Sequence, residues 1–137
     1  MTAKELMKQC EAEEKELKFR EFSSETALAI GMALIEEAKK RDNKICIDIA
    51  IAGRRLFHYS SDGNAVSNDI MIERKKKTAM HTGHSSLWAH YMLEDCGMNI
   101  KEKWALEPSE YAQVGGAFPI RLENCQTCLL YTSDAAD

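Results

Sequence analysis

The histidines are the side chains of this sequence that are best suited to bind a metal ion. His81 and His84 are three residues apart, and residues with that spacing share one face of a helix. Gly83 lies between them, however, and no acidic or cysteine side chain lies nearby in the sequence to complete a set of ligands. His58 lies in a short aromatic run, which is typical of a half-buried strand residue. We therefore predict no metal site.

A run of four cations, Arg74 to Lys77, could attract a nucleic acid, an anionic membrane or an acidic protein partner. Consecutive residues of a helix are 100° apart around its axis, so the four side chains cannot share one face. A solvated helix face is the simpler interpretation. A protein that uses the whole basic helix as an adaptor for an acidic partner remains an alternative, and it would bind with a strong dependence on salt.

A narrower interpretation combines part of this run with two later features. The backbone N–H groups at a helix N-terminus bind anions, and a pair of serines stands where such a terminus is expected. A pair of glycines further on would let a ligand approach the backbone closely. Together these residues predict a pocket for a carboxylate or a phosphate, formed by Arg74, Lys75, Ser85, Ser86, Gly115, Gly116 and the neighbouring Phe118. The alternative is structural: capping serines, a surface ion pair and a tight turn.

Composition limits the class of protein. The 137 residues suit one domain, and the net charge of −4 does not suit a general nucleic-acid binder. No apolar run approaches the roughly 20 residues that a membrane span requires, and the N-terminus does not resemble a signal peptide. Five irregularly spaced cysteines fit reduced thiols, so we expect a cytoplasmic protein. The sequence contains no triad order, P-loop or dinucleotide fingerprint, which favours binding over catalysis.

The candidate residues must be positioned by helices and strands. Apolar spacing predicts a first helix over residues 3–17, with Leu17 on its apolar stripe and Glu14 interrupting that stripe. A second helix follows a serine cap at position 23 or 24 and ends near Arg41. Gly31 lies in the middle of that helix, where close approach of another backbone would explain it.

The central stretch predicts a β-hairpin. Residues 45–52 alternate isoleucine with smaller or polar residues, so the isoleucines should face the helices and Asp48 the opposite side. Ala52-Gly53 is a turn signal, and residues 56–59 form the return strand. Helices are expected over residues 69–80, with a cap at Asn68 or Ser67, and from the serine pair to Cys96. A last strand covers residues 118–122.

The last ten residues, 128–137, resemble the in-frame translation of a transposase sequencing-library adapter. We therefore expect the natural domain to cover residues 1–127, incomplete at its C-terminus, and residues 128–137 to be a non-native tail. The Cys125-x-x-Cys128 spacing, which would otherwise suggest a redox or zinc pair, spans this junction and is disregarded. A truncated sheet should expose an unpaired edge and reduce solubility.

Four segments carry a resemblance to a known family: FSSETALAIGMAL, ICIDIAIAGRRLFHY, SNDIMIERKKKTAM and GGAFPI. Taken in this order, they resemble the haem-degrading-domain family, an uncharacterised family related to GlcG- and HbpS-like proteins. The resemblance extends from about Glu16 to Arg121. Met71 departs from it, because the family commonly has Trp there.

The resemblance implies an α+β fold: a single-domain α/β sandwich of the GlcG/HbpS-like type, in which helices cover an antiparallel sheet, here without its last strand and helix. It also implies homo-oligomeric rings. Our first hypothesis is a non-enzymatic cytoplasmic homo-oligomer that binds a small anionic ligand or a protein partner, but neither nucleic acid nor membrane. The alternative is haem binding or degradation, with haem as cofactor and His58, His81 or His84 as iron ligand.

Overall fold

The computed structural model describes residues 1–123 with their side chains and, for residues 127–136, the course of the backbone. Within this part the chain forms one mixed sheet and several helices. The helices are α1 (Ala3–Glu16), α2 (Ser24–Lys40), α3 (Val66–Thr82), α4 (Ser86–Cys96) and α5 (Ile100–Trp104). The strands are β1 (Lys18–Phe19), β2 (Lys44–Ile51), β3 (Arg54–Ser60), β4 (Ala117–Leu122) and β5 (Thr127–Ala136).

The sheet has the order β1-β4-β5-β2-β3. All neighbouring strands are antiparallel except β1 and β4, which run parallel over a short pairing. The α+β fold that we predicted is therefore confirmed, with one parallel edge strand added to the expected antiparallel sheet. In the described part of the chain, no helix has the length and the apolar character needed to cross a membrane.

The hairpin of β2 and β3 turns at Ala52 and Gly53, as predicted. Both residues have positive φ, 46° and 83°, which is the conformation of the tight turn that joins twisted antiparallel strands. A bulge then shifts the register: Ala50 pairs with Arg55, but Ile49 pairs with Phe57, so Leu56 is an extra residue on β3. The shift places Phe57 opposite Ile49 and moves His58 to the other face of the sheet, opposite Asp48.

The two faces of β2 differ in character, and both are covered. The isoleucines Ile45, Ile47 and Ile49 pack against α2 and form the main hydrophobic core with Ile35. The opposite face carries Asp48 and lies under α3, and almost all of β2 is consequently buried.

Gly31 of α2 faces the hairpin. A Cβ atom at this position would lie 2.3 Å from the Phe57 ring. The close approach that we predicted is present, but an aromatic side chain makes it rather than a backbone.

Helix α3 differs most from expectation. It begins at Val66 with Ala65 as N-cap and no side-chain cap, so the predicted cap at Asn68 or Ser67 is wrong. It also buries Lys75, which is 4 % exposed, so a solvated face does not describe this member of the run of four cations. At the end of α1, Leu17 is 54 % exposed instead of packed, whereas Glu14 is buried. Helix α4 begins after Ser85 and ends at Gly97, as predicted.

The backbone of residues 128–136 lies within β5, between β4 and β2. The unpaired edge that we expected on this side of the sheet is therefore paired. Strand pairing uses backbone N–H and C=O groups, which every residue except proline supplies, and residues 127–136 contain no proline. The non-native origin of residues 128–137 stays a prediction, and Cys125 lies outside the described residues.

Candidate functional site

A cluster of charged side chains lies on the polar face of β2, beneath α3. At its centre is Asp48, whose side chain is 1 % exposed. Its Oδ2 accepts hydrogen bonds from Arg55 Nε at 2.7 Å and from His58 Nδ1 at 3.0 Å, and its Oδ1 accepts one from Lys76 Nζ at 3.0 Å. A buried carboxylate needs such partners, because an unpaired one loses its hydration at a high cost.

The register bulge assembles this cluster. Arg55 and His58 are three residues apart on β3, and in a regular strand their side chains would lie on opposite faces. Because Leu56 is an extra residue, both side chains reach the face of Asp48. One irregular residue therefore gives a single carboxylate two donors from the same short strand.

The outer side of His58 faces a second acidic group. His58 Nε2 lies 3.2 Å from Asp69 Oδ1, and Cys46 Sγ lies 3.3 Å from the same oxygen. One ligand atom from each of Cys46, His58 and Asp69 lies within 4.8 Å of the others. A cleft of about 200 Å³, lined also by Arg55 and Glu73, leads to this group.

A larger cavity of about 460 Å³ lies beside the hairpin turn. We call it the His81 cavity, and its lining residues are Ala50, Ala52, Gly53, Glu73, Lys76, Lys77, Met80, His81 and Tyr111. One wall is formed by small residues of the hairpin, whereas α3 contributes two lysines and the imidazole. The His81 ring also lies beside Tyr111 and Trp104, with ring centroids 6.2 and 6.4 Å away. Its volume lies within the usual range for small-molecule sites, roughly 300–1,000 Å³.

A third polar cluster surrounds Glu14 of α1, which is 2 % exposed. The carboxylate accepts hydrogen bonds from His84 Nδ1 at 2.9 Å, from Arg121 at 3.1 Å and from the Ser85 backbone N–H at 3.3 Å. Arg121 also donates to the Gly83 carbonyl. Burial raises the pKa of Glu14, but the hydrogen bonds from His84, Arg121 and Ser85 outweigh it, so the net pKa is lowered.

The predicted anion pocket is distributed over several structural contacts. Arg74 donates to the Pro108 carbonyl at 2.6 Å, and Lys75 is buried within α3 packing. The backbone N–H of Ser85 does face a carboxylate, but it is that of Glu14 in the same chain. The four cavities described for this chain are lined by other residues than these.

The remaining members of that set lie close to one another. Ser86 Oγ accepts a hydrogen bond from the Ala117 N–H at 2.9 Å, which ties the start of α4 to the strand after the glycine pair. A Cβ at Gly115 would lie 3.0 Å from the Leu87 side chain, and Gly116 has a φ of 134°. Phe118 is half-buried in β4. The structure therefore brings Ser86 and the glycines together, but not with Arg74.

The three candidate histidines occupy three different places. His58 lies between Asp48 and Asp69, and His81 lines the largest of the described cavities. His84 is bound to Glu14 and stacks on Trp88 with a centroid distance of 3.9 Å. A shared metal site for His81 and His84 would need both rings to leave these surroundings.

Two carboxylates were missed by sequence reasoning. Glu14 interrupted an apolar stripe, yet it follows the buried Cys10 by one helical turn, which is the spacing of a shared buried face. Asp48 shares its strand face with Cys46, two residues earlier, and the predicted hairpin already placed the His58 strand alongside. An ionisable residue in the middle of a buried strand was the available signal, because such residues are rarely buried without partners.

Comparison with known proteins identifies the relatives of this chain. Residues 22–129 match a family model described as "Haem degrading protein HbpS-like". A UPF0303 protein of Edwardsiella ictaluri is 34 % identical over 125 residues, which cover 91 % of this chain and 80 % of the relative. A UPF0303 protein of Streptomyces coelicolor is 36 % identical over 110 residues, or 80 % of this chain and 70 % of the relative.

Two solved structures show the same fold. The Ybr137w protein superimposes with a TM-score of 0.88 at 29 % identity, covering 96 % of this chain and 78 % of that one. A double mutant of HbpS from Streptomyces reticuli superimposes with a TM-score of 0.64 at 17 % identity, covering 84 % of this chain and 75 % of that one. The second likeness concerns the fold alone.

Proposed function

The chain belongs to the haem-degrading HbpS-like family, and we propose that it is a ligand-binding domain whose ligand is a planar molecule with carboxylate groups. The observation that supports this function is the composition of the His81 cavity. Small residues form one wall, which leaves room for a flat ligand. Lys76 and Lys77 line the opposite wall with positive charge. Lys77 is more available to a ligand than Lys76, because its side chain is 48 % exposed and that of Lys76 is 15 % exposed. The partner of Lys77, Glu110, lies 3.4 Å from its Nζ and is itself exposed.

Haem is the candidate ligand that the histidine and the lysines of the His81 cavity favour. A porphyrin carries carboxylates that lysines can bind, and haem iron is commonly held by a histidine. His81 is the histidine that lines this cavity, and Tyr111 is a further lining residue. The rings of Tyr111 and of Trp104, which lies outside the lining, are next to the His81 ring. In this proposal Lys77 would bind a ligand carboxylate, and His81 would hold the iron. The name of the family supplies haem as a ligand to test; it supplies no reaction step.

Paired titrations test both parts of the proposal. Haem is added and followed by its Soret absorbance, and metal-free protoporphyrin IX is added and followed by quenching of tryptophan fluorescence. We expect both to saturate. His81→Ala should abolish the Soret shift of bound haem while leaving porphyrin binding within about threefold, a difference of less than 1 kcal/mol.

Two further variants test the charge of Lys77 and the position of the histidine. Lys77→Gln should weaken both ligands by about two- to fivefold, the usual size of an exposed charge interaction. His90→Ala removes a histidine that bonds the Gln113 carbonyl and does not line the cavity, so it should change neither titration. If neither haem nor protoporphyrin IX gives a saturable titration, the proposed function is wrong. A Soret shift retained in His81→Ala would overturn the assignment of the iron ligand.

We also propose that the protein is a cytoplasmic homo-oligomer. Leu28 and Met32, one turn apart on the outer face of α2, are 46 % and 51 % exposed, and apolar surface of this kind suits a contact between copies. The cysteines Cys10, Cys46 and Cys96 are free thiols, which suits a reducing compartment. Light scattering should give an oligomeric mass that falls in Leu28→Glu and not in Ala12→Glu, a control at an exposed position of α1. A monomeric mass for the unaltered chain would overturn this proposal.

An adaptor that binds an acidic partner through the whole basic run has less support. Lys75 is buried, and Lys76 is held by Asp48 and Glu73. Arg74 bonds the Pro108 carbonyl. Charge reversal at Arg74 or Lys75 would therefore disturb packing, and Lys77 is the member of the run best placed to meet a partner.

A further inference from the structure

We propose that Cys46, His58 and Asp69 form a binding site for a divalent transition-metal ion of the zinc type. The three residues come from β2, β3 and α3, and one ligand atom of each lies within 4.8 Å of the other two. Thiolate, imidazole and carboxylate are the three ligand types that zinc sites combine. Calcium and magnesium prefer oxygen ligands alone, so the set does not suit them.

The hydrogen bond on the inner side of His58 determines what its outer nitrogen can do. Asp48 accepts hydrogen bonds from Arg55 and Lys76, and its Oδ2 lies 3.0 Å from His58 Nδ1, so this nitrogen carries a proton and donates a hydrogen bond to Asp48. In a neutral imidazole the other nitrogen, Nε2, then carries a lone pair. Nε2 lies 3.2 Å from Asp69 Oδ1, which is also an acceptor.

Two acceptors at this distance repel each other unless a positive group lies near both of them. This group is either a second proton on His58 or a metal ion. The thiol of Cys46, 3.3 Å from the same Asp69 oxygen, favours the metal, because a thiol that releases its proton becomes a third ligand. The arrangement of Asp48, His58 and an outer metal is also the one in which zinc-binding histidines are usually held, with a carboxylate on the remote nitrogen.

Two of the three distances between ligand atoms agree with tetrahedral coordination, and the third, between Cys46 Sγ and His58 Nε2, is at most 4.8 Å. Zinc bonds of about 2.0 Å to nitrogen and oxygen and about 2.3 Å to sulfur, at tetrahedral angles, separate nitrogen from oxygen by about 3.3 Å and sulfur from oxygen by about 3.5 Å. The corresponding distances here are 3.2 and 3.3 Å. The cleft of about 200 Å³ beside His58 and Asp69 provides access and a fourth position for water.

This inference is independent of the proposed haem site, since Cys46, His58 and Asp69 do not line the His81 cavity. Chelator-treated protein is titrated with Co²⁺, which reports a bound thiolate by a charge-transfer band in the near ultraviolet. Zn²⁺ is then added in competition with a chromophoric chelator. We expect one Co²⁺ per chain with the thiolate band, displacement by Zn²⁺, and a higher melting temperature in the presence of Zn²⁺.

The variants separate this site from other thiols. Cys46→Ser should abolish the thiolate band, and Asp69→Asn should weaken Zn²⁺ binding at least tenfold while keeping the shape of the side chain. Cys96→Ser removes an exposed thiol elsewhere, and Glu36→Gln changes an exposed charge on α2, away from the cleft. Neither control should alter the band.

Two results would overturn the assignment. The first is the absence of a thiolate band in the unaltered chain, which would mean that Cys46 does not bind the metal. The second is a band that persists in Cys46→Ser and disappears in Cys96→Ser, which would place the metal at other thiols. Circular dichroism of each variant, compared with the unaltered chain, ensures that a lost band reports lost binding and not unfolding.

Discussion

Replacement of Glu14 by Gln tests whether a buried charge connects α1 to the rest of the fold. The carboxylate accepts hydrogen bonds from His84, Arg121 and the Ser85 N–H, at 2.9 to 3.3 Å. Removing one partner of a fully buried ion pair costs about 3–5 kcal/mol. Arg121 and His84 keep some solvent, with side chains 19 % and 33 % exposed, and Gln retains one acceptor oxygen. We therefore expect a loss of about 2–3 kcal/mol in the free energy of unfolding.

The same contacts predict how this loss depends on pH. The net pKa of Glu14 is lowered in the folded chain, although burial alone raises it, because the hydrogen bonds from His84, Arg121 and Ser85 favour the charged form. A lowered pKa contributes stability above the unfolded value of about 4.3, and this stability disappears as the pH falls through the folded value. The difference in free energy of unfolding between the unaltered chain and Glu14→Gln should therefore be largest near neutral pH and should disappear in acid.

Urea unfolding near neutral pH and at about pH 3 measures both effects. Glu13→Gln makes the same change of charge on an exposed neighbour in α1 and should alter the free energy of unfolding by less than about 0.5 kcal/mol. If Glu14→Gln destabilises no more than this control, the buried contacts do not contribute as described. A gap that stays constant into acid would refute the assignment of the effect to the ionised carboxylate.

Two further substitutions test packing around the sheet. Gly31→Ala gains about 1 kcal/mol of helix propensity but meets the Phe57 ring at 2.3 Å, and overpacking costs about 1–3 kcal/mol, so thermal unfolding should show a net loss. Ala29→Gly, on the exposed side of α2, measures the propensity term alone; a more stable Gly31→Ala would contradict the close contact. Ser86→Ala leaves the Ala117 N–H without its 2.9 Å acceptor and should cost about 1–3 kcal/mol in urea unfolding, and an unchanged midpoint would contradict this.

The elements with local signals could be predicted from the sequence. The turn at Ala52 and Gly53 follows from residue types that accept positive φ, and the isoleucines of β2 follow from their alternation. The ends of α4 follow from Ser85 and Gly97, which cap the helix through contacts with its first and last turns. Each of these signals lies within a few residues of the feature that it determines.

The candidate sites depend on long-range contacts and could not be predicted in the same way. The surroundings of Glu14 come from residues 70 or more positions later, His84 and Arg121. The face on which His58 lies depends on one extra residue, Leu56, and a regular hairpin would have placed this histidine opposite Ile47, toward α2. The burial of Lys75 likewise depends on how α3 packs on the sheet.

Asp48 contributes more to the orientation of its neighbours on the polar face of β2 than to net stability. Buried ion pairs add little net stability, because the cost of desolvation offsets the attraction, and apolar residues of similar volume often serve as well. An isoleucine at position 48 could pack against α3, while the isoleucines on the other face of β2 already form the core. What Asp48 provides that an apolar residue cannot is a hydrogen bond to His58 Nδ1, which leaves Nε2 within 3.2 Å of Asp69 beside the cleft. The bulge at Leu56 therefore lets one hairpin do two things: its apolar face holds the fold, and its polar face presents an oriented imidazole beside a thiol and a carboxylate.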